Sequence, residues 1–256
     1  MQLQIVEPQP MLGISKKVTN STLIVPTVLN INDAYVISRN FKEVWIDNGA
    51  FEAGIKNSIQ FKKVIDTQII WSNKLIELGC KVYFIRPDVL MDCQKTIDEV
   101  TKYEKYVERE LGNRAFMVSV LQFETVTELN KITKFYNNNV VTDMFAFPIR
   151  VRENVYRTMG FNLYGYLDSL GVKQKRLHNL GFSLMDLSNE GFFHCHSMDT
   201  SYPLKRLAVK LSLGGDNSRP KNYFKLKLDR AKSQRYIHTF KKYIDTRNNR
   251  VIKWQN

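Results

Sequence analysis

Apolar residues along this chain fall into two spacings. Short unbroken runs, such as Val44-Trp45-Ile46 and Phe116-Met117-Val118-Ser119-Val120-Leu121, read as strands buried on both faces. Longer stretches with apolar residues three and four apart read as helices. After an irregular lead-in over residues 1–20, broken by Pro8 and Pro10, residues 23–28 form the first expected strand. A helical link over 33–39 leads to the strand that ends at Ile46. A helix over 59–78 carries Phe61, Val64, Ile65, Ile69, Leu75 and Ile76 at helical spacing and stops at Gly79. The pattern continues with a strand over 81–85, a helix over 96–111, a strand over 115–121, a helix over 126–137 and a strand over 144–149. A helix over 162–170 and strands over 176–180 and 192–198 complete it. Strand and helix alternate with short links, which is the signature of parallel βα units. Neither a Gly-x-Gly-x-x-Gly nor a Gly-Lys-Ser/Thr loop is present, which sets aside dinucleotide and nucleoside-triphosphate folds. The expected fold is an α/β (β/α)8 TIM-type barrel, for which 256 residues suffice, arranged as a single domain over 1–256.

The polar residues that end these strands change the picture from fold to chemistry. Asp47, Asp88, Gln122, Glu153 and Asp199 each follow a buried run, and in a parallel barrel they share the rim where ligands are held. An isolated Asp-Asn-Gly such as 47–49 is an ordinary turn; the recurrence of polar strand ends points to a site. A carboxylate accepts from the N1–H and exocyclic amine of guanine together, and a glutamine amide donates to its carbonyl. Two further carboxylates suit glycosyl chemistry, one attacking the anomeric carbon and one handling the leaving group's proton.

Net charge is +13, and its distribution is one-sided. From Tyr202 to the end, fifteen Lys and Arg face only Asp216, Asp229 and Asp245, a net of +12. This favours a nucleic-acid partner over a small neutral metabolite. Residues 214–256 read as a basic helical extension, and Lys205, Arg206, Lys210, Arg230, Arg235, Lys241 and Lys242 are candidate phosphate contacts. Its interleaved aromatic residues are assigned mainly to packing. Cys80, Cys93 and Cys195 match no paired zinc or redox spacing and read as buried thiols of a reducing compartment. No apolar run is long enough for a signal peptide or a membrane span, so a cytoplasmic protein without membrane contact is expected. His194-Cys195-His196 with Asp199 leaves open a metal-dependent barrel hydrolase, although alternation puts Asp199 on the opposite face from the two histidines. A nucleic-acid-binding barrel without chemistry is the non-enzymatic alternative.

These residues resemble the tRNA-guanine transglycosylases, and more closely their short DNA-modifying relatives, the phage and bacterial 7-deazaguanine DNA transglycosylases. Asp47-Asn48-Gly49-Ala50-Phe51-Glu52 is similar to the family's Asp-Ser-Gly-Gly-Phe-Gln. Pro87-Asp88-Val89 stands where the family has its guanine-reading aspartate, and Val120-Leu121-Gln122 is similar to its Val-Gln-Gly strand end. Residues 147–153 share the spacing of Gly-Gly-Leu-Ala-Val-Gly-Glu, matching at Val151 and Glu153. His178-Asn179-Leu180-Gly181 resembles an archaeal His-Leu-Phe-Gly, and Met198-Asp199-Thr200-Ser201-Tyr202 the Phe-Asp-Ser-Ala-x-Tyr around the nucleophile.

The resemblance spans residues 44–202 and implies base exchange in DNA without a cofactor, with a free 7-deazaguanine base as co-substrate. It makes Asp199 the nucleophile and Asp47 the general acid/base. Asp88 and Gln122 would read the base edge, with Asp92 a rival for that role, and Phe51 and Leu180 beside Gly181 would enclose its faces. Glu153 would contact the 7-substituent. The chain departs from the tRNA enzymes at Asn48, Ala50 and Glu52, and it is shorter than they are. Because no cysteine follows Cys195, their zinc subdomain has no counterpart. These losses favour the DNA branch, with a tRNA-guanine transglycosylase as the alternative.

Overall fold

A computed structural model describes residues 4–8, 19–49, 58–148, 166–167, 169–172, 176–181 and 196–199, with single positions 231, 234, 235, 238, 242 and 245. Eight strands close into a barrel in chain order: β1 (Gln4–Pro8), β2 (Ser21–Ile24), β3 (Glu43–Ile46), β4 (Lys81–Ile85), β5 (Phe116–Val120), β6 (Met144–Pro148), β7 (Arg176–Leu180) and β8 (Ser197–Asp199). Every neighbouring pair is parallel, and β1 closes the ring by pairing with both β2 and β8. The α/β barrel is therefore the fold of the chain.

Helices α1 (Asp33–Asn40), α2 (Ser58–Glu77), α3 (Cys93–Leu111) and α4 (Val126–Asn139) connect the strands from β2 to β6. Helix α2 ends just before Gly79, whose φ of +80° turns the chain into β4. Thr125 and Glu128 form a reciprocal capping box at the start of α4. Tyr166, Leu167 and Ser169 are helical, within the helix expected over 162–170.

Strand alternation sorts the core into two shells. Leu23, Val25, Trp45, Tyr83, Ile85, Val118, Val120, Met144 and Ala146 pack together inside the barrel, with Leu180 against them. Val44, Ile46, Val82 and Phe84 point outward onto Phe61, Ile65 and Tyr103 of the helices. Both faces of β2 to β6 are thus buried over most of their length, which is why these strands appear as unbroken apolar runs.

Three boundaries differ from expectation. The lead-in over 1–20 contains β1, the closing strand; its five residues Gln-Ile-Val-Glu-Pro are short and proline-ended, so no apolar run announces it. The strand expected over 23–28 is β2 over Ser21–Ile24, followed by a 3-10 turn at Pro26–Val28. Ser21 and Thr22 are buried in register with Glu43 and Val44, while Pro26 lacks the N–H that a central strand needs. Helix α3 begins at Cys93 because Asp92 caps it, accepting from the Lys95 N–H at 2.9 Å.

Of the basic extension, Ala231, Gln234, Arg235, His238, Lys242 and Asp245 are helical and exposed. Cys80 and Cys93 are buried free thiols; burial pushes both thiols up, Cys93 to about 11 with help from Glu128. Cys195 lies outside the described residues. Among the described residues no helix is long and apolar enough to cross a membrane.

Candidate active site

The carboxyl ends of β3, β4 and β5 are fixed from outside the barrel before any functional group appears. Gln68 of α2, wholly buried, donates through Nε2 to the carbonyls of Ile46 at 3.1 Å and Ile85 at 3.0 Å. Just beyond β4, Arg86 is 1% exposed and clamps Glu104 of α3 with Nε at 2.8 Å and Nη2 at 2.5 Å. The same guanidinium donates to Ser119 Oγ at 3.0 Å and the Val141 carbonyl at 2.7 Å. A bidentate pair with its remaining donors satisfied holds its geometry in the interior.

On this base stands the first cluster. Asn48 Nδ2 donates to the Arg86 carbonyl at 3.0 Å and to Asp88 Oδ1 at 2.6 Å. Gln122 Nε2 donates to the other oxygen, Asp88 Oδ2, at 2.5 Å, and Gln122 Oε1 accepts from the Met91 N–H at 2.9 Å. Burial pushes the Asp88 carboxyl above the ordinary carboxylate range, and the donors Asn48 and Gln122 work in the opposite direction. Asp88 and Gln122 are thus brought together as expected, and Asn48 joins them.

Two backbone features make that meeting possible. Gly49 has φ of +64°, and a Cβ there would stand 2.6 Å from Val25 Cγ1. Met91 also has a positive φ, 57°, in the turn that aims its N–H at Gln122. Thr96 Oγ1 accepts from the Val89 N–H at 2.9 Å and pins the same loop to α3. Asp92 serves as helix cap and ion pairs with Lys95 at 2.9 Å. Partial burial raises its carboxyl, but the Lys95 bonds outweigh that and leave it below the ordinary range. Its side chain serves α3, whereas that of Asp88 is held between the amides of Asn48 and Gln122.

The second cluster lies across the mouth on β7 and β8. Asp199 is the last residue of β8 rather than the residue after it. Its Oδ1 accepts from the Gly181 N–H at 2.8 Å and stands 3.4 Å from His178 Nε2. His178 Nδ1 is 2.9 Å from Ser197 Oγ, its register partner on β8. Leu180 is half-buried against the interior cluster. Asp47 is half-buried at the end of β3, its N–H donating to the Ile24 carbonyl at 2.9 Å.

Phe51 and Glu153 lie outside the described residues, as do Lys205, Arg206, Lys210, Arg230 and Lys241. Arg235 and Lys242 are exposed on the helical extension. His194 is likewise outside them, whereas His196 Nδ1 accepts from the Leu177 N–H at 3.1 Å, which occupies that ring nitrogen. Burial and the neighbouring Arg176 hold the His196 imidazole below its ordinary pKa. Among the described residues no three His, Cys, Asp or Glu side chains lie together to hold a metal.

A cavity of about 470 Å³ opens at the amino-terminal end of β5, lined by Glu104, Glu108, Phe116, Val141 and Asp143 among others. It lies on the opposite end of the barrel from Asp88 and Asp199. The carboxyl-end rim is the better candidate because its half-buried carboxylates, Asp88 and Asp199, are aimed by dedicated donors, as in barrel sites.

Sequence reading missed Asn48 and Arg86 as parts of the site. Asn48 stands next to Asp47 in a turn-like tripeptide, and only pairing of β3 with β4 places it beside Asp88. Arg86 carried a signal, a charge flanked by Ile85 and Pro87 at the end of an apolar strand. Scanned against protein-family models the chain matches none, and a search of curated proteins finds no match.

Proposed function

We propose that this chain is a base-exchange transglycosylase that replaces guanine in DNA with a 7-deazaguanine derivative. The observation that carries the reading is the pairing of two unlike carboxylates on one barrel rim. Asp88 is held between two amide donors, while Asp199 has one oxygen held by Gly181 N–H and no contact to Oδ2 among the described residues. A carboxylate held through one oxygen suits nucleophilic attack, and one fixed between amides suits recognition of a ring edge.

In the proposed reaction Asp199 forms a bond to C1′ as the C1′–N9 bond breaks through an oxocarbenium-like transition state. The bonding pair departs with the purine, which takes a proton from Asp47. A free 7-deazaguanine then occupies the pocket, gives up its N9 proton to the Asp47 carboxylate and displaces the Asp199 carboxylate from C1′. Asp88 accepts from the purine's N1–H and exocyclic amine, using lone pairs not taken by Asn48 and Gln122. Extruding the nucleotide costs a few kcal/mol, and phosphate contacts from the basic extension, including Arg235 and Lys242, offset it. The likeness of residues 44–202 to the transglycosylases supports the same reading. The enzyme would act in the cytoplasm, that of a host cell if the chain is phage-encoded.

The test is mass spectrometry of nucleosides from DNA and from tRNA after incubation with candidate 7-deazaguanines. Exchange into DNA, lost on Asp199→Ala, is the expected outcome. Exchange into tRNA alone would replace DNA by tRNA as substrate, and full exchange by the Asp199→Ala protein would overturn the nucleophile.

A further inference from the structure

Among the described residues, three polar atoms of interior-facing side chains have no hydrogen-bond partner: Trp45 Nε1, Tyr83 hydroxyl and His178 Nε2. The last belongs to an imidazole that is wholly buried and held from two sides. Its ring lies on Trp45 with centroids 4.2 Å apart and planes 25° apart, and Trp45 lies on Tyr83 at 4.1 Å and 6°. Its Nδ1 meets Ser197 Oγ, and its Nε2 faces Asp199 Oδ1, the oxygen that already accepts from Gly181 N–H.

We infer that His178 is a positioning residue for Asp199: its Nε2–H and the Gly181 N–H converge on Oδ1 and leave Oδ2 as the oxygen that attacks C1′. This rests on the reading of Asp199 as nucleophile.

The protonation pattern follows from the contacts. A bare Nε2 lone pair would face a carboxylate oxygen at 3.4 Å, two acceptors confronting each other in a buried site. With the proton on Nε2 that conflict disappears, provided that Nδ1 accepts. Ser197 supplies the needed hydroxyl proton; its other neighbour, Met144 Sδ at 3.8 Å, is a weak acceptor and competes poorly for it. The His178–Asp199 separation is longer than an ordinary N–H···O bond, and such contacts tighten when the reacting complex forms. When Oδ2 bonds to C1′, Oδ1 becomes the carbonyl oxygen of the glycosyl ester, and the two N–H groups remain aimed at it. No proton moves through His178: its Nε2–H stays in place while C1′–N9 breaks and its electron pair leaves with the purine.

Two measurements test this. Nitrogen NMR of the full chain with labelled histidine reads the ring of His178 directly and needs no substrate. A protonated Nε2 is expected, and an Nδ1–H ring with a bare Nε2 would overturn the inference. In the exchange assay, His178→Phe keeps the stack on Trp45 but removes the donor, and His178→Gln returns an amide N–H to the position of Nε2. The Phe protein is expected to form the covalent DNA adduct on the order of 100-fold more slowly, with KM for the free base little changed, and the Gln protein to recover most of that loss. A Phe protein as fast as the wild type would refute the role of His178 while leaving Asp199 as nucleophile. A wild-type protein that exchanges no base would instead refute the proposed reaction, and the NMR result would still decide how Asp199 is held.

Discussion

The two halves of the barrel mouth hold their carboxylates in different ways. On the β3–β5 side, Asp88 has both oxygens occupied, and the residues behind it are tied in turn: Asn48 to the Arg86 carbonyl, Gln122 to the Met91 N–H, and Arg86 to Glu104. On the β7–β8 side, Asp199 is held through a single oxygen, by one backbone N–H and one long imidazole contact. The first arrangement contributes to stability and fixes a shape. The second leaves one oxygen of Asp199 without a contact among the described residues, the compromise expected if this side carries the proposed chemistry.

That contrast is open to breaking. The largest effect is expected at Arg86→Met, which leaves Glu104 without its partner in a nearly closed site; unfolding should become easier by about 3–5 kcal/mol, read by urea denaturation. A cost below about 1 kcal/mol would mean that the β3–β5 side is not locked through this ion pair.

A middle-sized effect concerns pH. Burial raises the Asp88 carboxyl above its unfolded value near 3.9. Ionisation of a group raised in the folded state costs stability, so its contribution is most favourable at low pH. It declines as pH rises from the unfolded pKa to the folded one. Asp88→Asn removes that decline. The difference in Tm between variant and wild type, followed from pH 4 to 8, should move in the variant's favour as pH increases. A constant difference would show that the donors from Asn48 and Gln122 fully cancel the burial.

The smallest effect is expected across the mouth. Asp199→Ala removes one acceptor from Gly181 N–H and should change stability by less than about 1 kcal/mol, measured by the same denaturation. A loss as large as that at Arg86 would abolish the distinction between the two sides.

Most of the barrel was legible in the chain because strands buried on both faces are continuous apolar runs. The 81–85 and 176–180 strands coincide with β4 and β7. β1 was not legible, since closing the ring requires only five residues paired on both edges and no long apolar run. In the site, Asp88 and Gln122 could be named from strand ends alone, because alternation and parallel pairing bring them to one rim. The partnership of Asn48 with Asp88 depends on a positive-φ glycine beside it and on the register of β3 with β4. Neither is visible in local composition. The contact of His178 with Asp199 likewise follows from the register of β7 with β8, which sets His178 opposite Ser197.

On the proposed reading, the turn at Met91 bears on which purine the rim accepts. A backbone N–H can only donate, so the atom of Gln122 that meets Met91 must be its oxygen, and the amide cannot rotate by half a turn to exchange its ends. On the proposed reading Gln122 thereby meets the bound base as a donor. A ring edge with a carbonyl finds a match there, whereas the exocyclic amine of adenine would place N–H against N–H.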